Sequence, residues 1–252
     1  MCKDRKNYYG CLCTEMYEIL HETAPQDELD FYLSYAEKGK KILEPLCGSG
    51  RFFLPFQKRG FSICGFDLSK EMLDKLKQKA PGAQVVQCDI MTYPVTEKFD
   101  YIFISSGSVS LFTDMEKCKK VLCKMKALLH QRGKFVFAVD TVACRSLKND
   151  EDYKVSVSVK TKEGFDLFLR TKNRYEETTR TQFSPGIYEL YHGKELLQRE
   201  KMNFQTHLYE LGEMEGLLKE AGFTSVAVYS SFQKEIAVSN QSEQFLYECT
   251  AD

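Results

Sequence analysis

The first half of the chain alternates short apolar runs with amphipathic stretches. Each apolar run has the length of a buried strand, and each amphipathic stretch carries apolar residues at helical spacing. This rhythm predicts repeated strand–helix units and a parallel sheet that is covered by helices on both faces. The predicted strands are Lys41–Leu43, Phe61–Phe66, Gln84–Cys88, Phe99–Ile104 and Lys134–Val139.

A second pattern follows the fifth predicted strand and consists of short segments in which polar and apolar residues alternate. Glycine and proline separate several of these segments, which is typical of antiparallel strands joined by turns. The region therefore predicts an inserted small antiparallel β-sheet. Its predicted strands are Tyr153–Lys160, Phe165–Arg170, Arg174–Thr181, Ile187–Tyr191 and Gln198–Thr206.

The strand–helix rhythm returns near the C-terminus, with a predicted helix over Glu210–Ala221. Three strands follow, over Thr224–Tyr229, Ile236–Val238 and Phe245–Cys249, and we expect the last two to form a hairpin. The predicted fold is α/β: a doubly wound, mostly parallel seven-stranded Rossmann-like sheet with a terminal antiparallel hairpin and the inserted sheet.

Composition favours a small-molecule partner. The 252 residues include 35 Lys and Arg against 36 Asp and Glu, a net charge of -1, so no global attraction to nucleic acid or an anionic membrane is expected. The charged N-terminus lacks the apolar core of a signal peptide, and no stretch has the length of a membrane span. We expect a soluble, cytoplasmic protein. The scattered cysteines and four histidines show no metal-ligand spacing, so no metal is predicted.

A glycine-rich turn directly follows the first predicted strand, where Glu44 to Gly50 reads Glu-Pro-Leu-Cys-Gly-Ser-Gly. Gly48 and Gly50 lack a Cβ, so a ligand can approach the main chain closely. Asp67 and Asp89 come directly after the second and third strands. A carboxylate after the second strand can accept hydrogen bonds from both ribose hydroxyls. Together these residues predict a nucleoside-type cofactor at the carboxyl edge of the sheet.

The glycine turn has two other interpretations. A dinucleotide dehydrogenase would carry Gly-x-Gly-x-x-Gly, and Phe53 stands where its third glycine would be. Gly48 and Gly50 could also serve only to make a tight turn between a strand and a helix. The carboxylates in register at the next two strand ends favour a cofactor site over both.

With these residues the chain resembles the class I S-adenosylmethionine-dependent methyltransferases. In that family the glycine turn meets the methionyl part of the cofactor, the second acidic residue the ribose and the third the adenine. The family usually has Glu-x-Gly-Cys-Gly-x-Gly, and Leu46 here takes the place of the first glycine. The resemblance covers most of the chain, from about Ile42 to the C-terminus.

The resemblance also implies a division of the chain. Helical patterns before the first strand, broken at Ala24 and Pro25, would form an N-terminal lid over residues 1–40, and Tyr8, Tyr9 and Tyr17 could line the pocket beneath it. The methyltransferase domain would comprise residues 41–140 and 208–252. Residues 141–207 would form the antiparallel insertion, which covers the acceptor pocket in the small-molecule branch of the family.

The expected cofactor-binding residues lie at the strand ends, in the loops that follow them and in the lid. Ser105 to Ser110, after the fourth strand, should face the transferred methyl group. The set is Tyr17, Glu44, Leu46, Cys47, Gly48, Gly50, Arg51, Asp67, Leu68, Met72, Cys88, Asp89, Ile90, Ser105 and Ser106. Arg51 could pair with the cofactor carboxylate or face solvent.

Methyl transfer from a sulfonium is an in-line displacement, so it depends on a positioned nucleophile in a water-poor cavity more than on a covalent group. A hydroxyl or ammonium acceptor would also need a base. The candidates are His207, ranked first, then Tyr209, His192 and His21. A buried histidine satisfied by the backbone is the alternative interpretation of His207.

The leading functional hypothesis is methyl transfer to an O, N or S atom of a small intracellular metabolite. An RNA or protein methyltransferase is the alternative, although Ser105-Ser106-Gly107-Ser108 stands where nucleobase amino-methyltransferases carry Asn/Asp-Pro-Pro-Tyr/Phe. A third possibility is a regulatory protein that binds S-adenosylmethionine without turnover. The aromatic residues of the insertion could instead mark a dimer contact, so both a monomer and a homodimer stay open.

Overall fold

The computed structural model describes residues 6–251, so Asp252 and the first five residues of the predicted lid lie outside the described part. The described residues form six α-helices and fourteen β-strands. The helices are α1 (Cys11–Leu20), α2 (Gln26–Leu33), α3 (Phe53–Lys58), α4 (Lys70–Lys79), α5 (Met115–Leu128) and α6 (Glu213–Glu220). The strands are β1 (Lys41–Pro45), β2 (Ser62–Asp67), β3 (Val85–Gln87), β4 (Phe99–Ile104), β5 (Leu129–Asp140), β6 (Lys154–Lys160), β7 (Asp166–Thr171), β8 (Arg174–Glu176), β9 (Thr181–Phe183), β10 (Gly186–His192), β11 (Glu195–Met202), β12 (Gln205–His207), β13 (Ser225–Tyr229) and β14 (Gln244–Thr250).

The central sheet has seven strands in the order β3-β2-β1-β4-β5-β14-β13. The first five run parallel, and β14 lies antiparallel to both β5 and β13. One face packs against α5 and α6, and the opposite face packs against α2, α3 and α4. The continuous apolar run Phe99–Ile104 forms a central strand because it is covered on both faces. The predicted α/β Rossmann-like fold is confirmed.

The terminal antiparallel pair differs in its members from the prediction. β14 pairs with β13, whereas the expected strand Ile236–Val238 makes one isolated bridge, between Ile236 and Tyr229. Ile236 and Val238 are 64% and 84% exposed. β14 already has β5 on one side and β13 on the other, so no edge is left for a third partner. The predicted hairpin of the last two segments was therefore wrong.

The insertion forms two antiparallel sheets where one was predicted. Four strands pair in the order β11-β10-β7-β6, and three in the order β12-β9-β8. The segment expected as one strand, Arg174–Thr181, is split by a turn at Arg180, whose φ of 46° is incompatible with a strand. The segment Gln198–Thr206 is likewise divided, between β11 and β12.

Helix α1 contacts both the inserted sheet and the central domain. Its side chains Leu12, Cys13 and Met16 are buried against β7, β10 and β11. The Glu200 carboxylate accepts hydrogen bonds from the backbone N–H groups of Leu12 and Cys13, at 3.1 and 3.2 Å. These amides lie in the first helical turn, where N–H groups have no acceptor within their own helix. Glu200 therefore acts as the N-terminal cap.

Ion pairs join the outer face of α1 to α4. Glu15 lies 2.8 Å from Lys75, and Glu18 lies 2.8 Å from Lys79. The first helix therefore bridges the inserted sheet and a helix of the central domain. Within residues 6–251, no helix is long and apolar enough to cross a membrane.

Gly10 allows this capping contact, because a Cβ at Gly10 would meet the Glu200 carboxylate at 2.7 Å. We expect Gly10→Ala to displace that carboxylate and to lower the free energy of unfolding by about 1 kcal/mol, the usual cost of a lost cap. Urea unfolding measures the change. Gly216→Ala is the matched control, since its Cβ would meet nothing within 4 Å and alanine favours the helix. Equal stability of the Gly10→Ala protein and the wild type would contradict the capping role.

Candidate cofactor site

The glycine turn after β1 contains three residues in the left-handed backbone region. Leu46, Gly48 and Gly50 have φ values of 57°, 52° and 86°. Leu46 thus adopts the conformation that a glycine would adopt, at a cost of about 1–2 kcal/mol for a residue with a side chain. Gly50 has no room for one, because a Cβ there would meet Leu76 at 2.8 Å. The turn therefore has the left-handed backbone conformation at Leu46 although this residue carries a side chain.

Asp67, at the end of β2, joins the glycine turn to the start of the next helix. Its Oδ2 accepts a hydrogen bond from the Gly48 backbone N–H at 2.9 Å, and its Oδ1 accepts one from Ser69 N–H at 2.8 Å. Burial raises the pKa of this carboxyl, and the amide hydrogen bonds oppose that increase. Ser69 in turn caps α4 by accepting a hydrogen bond from Met72 N–H.

A cavity of about 390 Å³ lies at the carboxyl ends of the parallel strands, against this turn. Gly50 and Cys88 are not among its lining residues, because Gly50 packs beneath the turn and the Cys88 thiol contacts Asp89 O and Thr92. The other residues expected to bind the cofactor all line it: Tyr17, Glu44, Leu46, Cys47, Gly48, Arg51, Asp67, Leu68, Met72, Asp89, Ile90, Ser105 and Ser106.

A polar cluster of Glu44, Arg51 and the Ser105–Ser106 segment lies beside the turn. Glu44 is 1% exposed, and its Oε1 lies 3.4 Å from Ser105 Oγ. Arg51 donates to Ser106 Oγ at 2.5 Å, and its guanidinium lies over the Tyr17 ring. Burial raises the pKa of Glu44 well above its usual range. Arg51 therefore faces the cavity and not solvent.

Glu28 on α2 belongs to the same cluster and was missed by the sequence analysis. It is 6% exposed, and its carboxylate accepts from Ser106 N–H at 2.8 Å. Ser106 and Gly107 have φ values of 56° and 64°, and this double left-handed turn directs the Ser106 amide toward Glu28. An acidic residue in a helical stretch is usually exposed to solvent, so no feature of the sequence indicated that Glu28 is buried at the site.

The N-terminal segment before α1 closes another side of the cavity, where Lys6, Asn7, Tyr8 and Tyr9 line it. Ser69 Oγ donates to Tyr9 O at 2.6 Å, and Asn7 Nδ2 donates to Leu111 O at 3.0 Å. Tyr8 and Tyr9 were anticipated as lining residues, and Lys6 and Asn7 were not. The residues at the entry to α5, namely Leu111, Phe112, Thr113, Asp114 and Lys117, also line the cavity.

His207 and Tyr209 do not line the cavity. His207 is 3% exposed, with its Nε2 2.8 Å from Glu213 Oε1 on α6, and Arg180 donates to the same carboxylate. The Tyr209 side chain is fully buried beside Cys118. Because β12 and the segment after it direct both side chains toward α5 and α6, the expected general-base role receives no support from their positions.

The two lower-ranked histidines lie elsewhere. His192 is exposed at the end of β10, beside the Phe165 ring, and His21 packs beside Tyr17 at the end of α1. Among residues 6–251, no group of three or more His, Cys, Asp or Glu side chains is arranged to hold a metal ion.

A second cavity of about 310 Å³ lies between α1 and the four-stranded inserted sheet. Tyr9 and Tyr17 line this cavity and the first one alike. Their rings meet edge to face, with centroids 6.0 Å apart. These two tyrosines are therefore the common wall of the two cavities.

Comparisons with known proteins agree with this geometry. A family model described as a methyltransferase domain matches residues 42–133. A protein of Geobacillus sp. (strain WCH70), named as a proposed methyltransferase, is 25% identical over an alignment 249 positions long that covers 92% of this chain and 95% of that protein.

Solved structures match over nearly the whole chain. An S-adenosylmethionine-dependent methyltransferase from Clostridium acetobutylicum ATCC 824 has a TM-score of 0.77 at 17% identity, covering 94% of this chain and 96% of the other. A sugar N-methyltransferase from Streptoalloteichus sp ATCC 53650 has a TM-score of 0.73 at 15% identity, covering 100% and 98%. At such identities the likeness establishes the fold.

The sheet order, the glycine turn and the two carboxylates at the following strand ends define a nucleoside-cofactor enzyme with a Rossmann-like sheet. The chain contains a methyltransferase domain, matched over residues 42–133, and has the fold of the S-adenosylmethionine-dependent methyltransferases. S-Adenosylmethionine is its methyl donor, and when bound it supplies an electrophilic methyl group.

The residues present fit this cofactor. Glu44 Oε2 and Arg51 Nε are buried polar atoms without a hydrogen-bond partner among the described residues, and both belong to side chains that line the cavity. Buried polar atoms are rarely left unpaired, and these two match the ammonium and carboxylate of a methionyl group. Asp67 and Asp89 also line the cavity, and carboxylates at these strand ends can accept hydrogen bonds from a nucleoside.

Asp67→Ala should weaken binding of the reaction product S-adenosylhomocysteine by about 10- to 100-fold, because it removes the expected charged hydrogen bonds to the ligand and releases the Gly48 amide. Isothermal titration calorimetry gives the affinity. Asp74→Ala is the control, since Asp74 is half-exposed on α4 and pairs with Lys70. Equal affinity in both variants would show that Asp67 does not hold the nucleoside.

Asp140, at the end of β5, gives a pH prediction. Burial raises its pKa to about 6, against an opposing effect of the Gln244 hydrogen bond. Between about pH 4 and 6, the folded state therefore holds a proton that the unfolded state has already lost. The free energy of unfolding falls as pH rises through that window. Relative to Asp140→Asn, the wild type should lose about 2 kcal/mol of unfolding free energy between pH 4 and 7, at roughly 1.4 kcal/mol per pKa unit. Urea titrations of both proteins measure it, and parallel pH curves would contradict it.

Proposed function

We propose that the protein transfers the methyl group of S-adenosylmethionine to an O, N or S atom of a small intracellular metabolite that binds between α1 and the inserted four-stranded sheet. The observation that carries the proposal is the second cavity, which shares Tyr9 and Tyr17 with the cofactor cavity. A cavity of about 310 Å³ is at the lower end of the range for small-ligand pockets.

The chain's own residues contribute to catalysis by aligning the acceptor and excluding water more than by transferring a proton. Burial raises the pKa of Tyr9 and Tyr17, so both hydroxyls stay protonated and act as hydrogen-bond donors. Arg51 stacks on Tyr17 and donates to Ser106, which holds the wall next to the cofactor turn. Fixed donors around a closed cavity favour an in-line displacement by restricting the approach of the nucleophile.

The two neighbouring cavities favour a small acceptor over an RNA or a protein. A macromolecular acceptor would need an open docking surface beside the methyl group, and that side is covered by α1 and the segment before it. The balanced charge of the whole chain, -1, adds no attraction for a polyanion.

The test is release of S-adenosylhomocysteine from S-adenosylmethionine across panels of phenols, thiols and amines, with RNA and protein extracts as competing acceptors. We expect turnover with a small molecule, and Leu169→Trp should lower that kcat/KM at least tenfold by filling the second cavity. Its S-adenosylhomocysteine affinity should stay within threefold, because Leu169 does not line the cofactor cavity.

Phe168→Trp is the matched control, since its side chain lies on the opposite face of β7, against Tyr191. Turnover with RNA or protein alone would overturn the proposed acceptor class. Cofactor binding without turnover on any panel would support the regulatory alternative.

A further inference from the structure

The second cavity has a wall of apolar side chains. They come from α1 and from strands of the four-stranded sheet, and Phe204 completes the set from the segment between β11 and β12. The principal members are Met16, Val157, Leu169, Tyr188, Met202 and Phe204. Thioether side chains adapt their shape and make favourable contacts with aromatic rings, so the two methionines suit a flat apolar ligand.

The polar groups of this wall are uncharged. Thr171 and Ser184 contribute hydroxyls, and burial raises the pKa of the Cys13 thiol to about 12, so the thiol stays protonated at neutral pH. His21 lies at the rim, and burial together with the nearby Arg51 lowers its pKa, which keeps the imidazole neutral. In the described part of the chain, no Asp, Glu, Lys or Arg side chain lines this cavity.

The cofactor cavity has the opposite character. Glu44, Asp67, Asp89 and Arg51 all line it, together with Lys6 and Lys117 at its far end. The two cavities meet at Tyr9 and Tyr17, so charged side chains lie on one side of these rings and uncharged ones on the other.

We propose that the methyl acceptor carries an uncharged apolar ring system, which occupies the second cavity and presents its nucleophilic atom at the Tyr9–Tyr17 wall. The inference rests on the proposed function and names its substrate class. A phosphate, carboxylate or ammonium on the ring body would lose its hydration without gaining an ionic partner in this cavity, at a cost of several kcal/mol. Acceptors that carry such charges on the buried part are therefore excluded.

The experiment uses N-phenyl-1-naphthylamine, an uncharged fluorescent probe, with the wild type saturated with S-adenosylhomocysteine. We expect the probe to bind with micromolar affinity and a rise in fluorescence. 2-Naphthol should displace the probe, and 2-naphthyl phosphate should compete with at least tenfold lower affinity. This pair differs in charge on the same ring system and needs no protein variant.

Val157→Asp introduces a charge into the cavity wall, and Val155→Asp makes the same change on the same strand at a residue that does not line the cavity. Val157→Asp should lower the affinity for the probe at least tenfold, and Val155→Asp should lower it less than twofold. Calorimetry should show unchanged S-adenosylhomocysteine affinity in both variants.

Failure of the probe to bind a wild type that binds S-adenosylhomocysteine would overturn the apolar acceptor and leave the methyltransferase proposal intact, as would equal competition by the two naphthyl compounds. Failure of S-adenosylhomocysteine itself to bind would instead remove the proposed function on which the inference rests.

Discussion

The partly buried carboxylate of Asp67 is the link on which the site depends. One of its oxygens holds the Gly48 amide of the glycine turn, and the other holds the Ser69 amide at the start of α4. Ser69 Oγ then donates to Tyr9 O, which fixes the N-terminal segment over the cavity. A single chain of hydrogen bonds therefore runs from the glycine turn after β1, through Asp67 at the end of β2, to the N-terminal segment over the cavity. Hydrogen bonds to a carboxylate are stronger than neutral ones, which suits a residue that positions three segments.

Charge balance is the second constraint on the site. Glu44 and Glu28 are both buried, and Arg51 is the cation that faces them. Burial is the largest cause of the raised pKa of both acids, and the Arg51 guanidinium opposes it, so the cluster holds two acidic groups against one cation. The methyl donor carries a sulfonium and an ammonium against one carboxylate, so it brings net positive charge to these two acidic groups. The cluster is thus more favourable with its ligand than without, as expected for a site built to bind and not for core packing.

Much of the fold and the cofactor turn could be predicted because both depend on local pattern. The run Phe99–Ile104 is too apolar for anything but a buried strand, and parallel strands bring their carboxyl ends, with Glu44, Asp67 and Asp89, to one edge. What could not be predicted depends on distant contacts. Glu28 is a surface-like residue in a helical pattern until α2 packs beside Ser106, and the approach of Lys6 and Asn7 to the cavity depends on Tyr9, Leu111 and Gln205. The single wrong hairpin member, Ile236–Val238, has strand-like residues but no free edge to pair with.

The attachments of α1 and the segment before it differ in strength and in what they cover. On the side of the inserted sheet, Glu200 caps the helix and the apolar contacts of Leu12 and Met16 bury its inner face. On the central domain, the Lys75 and Lys79 pairs are partly exposed and contribute only about 0–1 kcal/mol each. The Ser69–Tyr9 bond lies between them, at the wall that both cavities share. Because the apolar contacts join α1 to the inserted sheet, helix and sheet would move together more readily than they would separate. Opening of the cofactor cavity would therefore be easiest at the contact between α1 and α4, where the attachment is weakest.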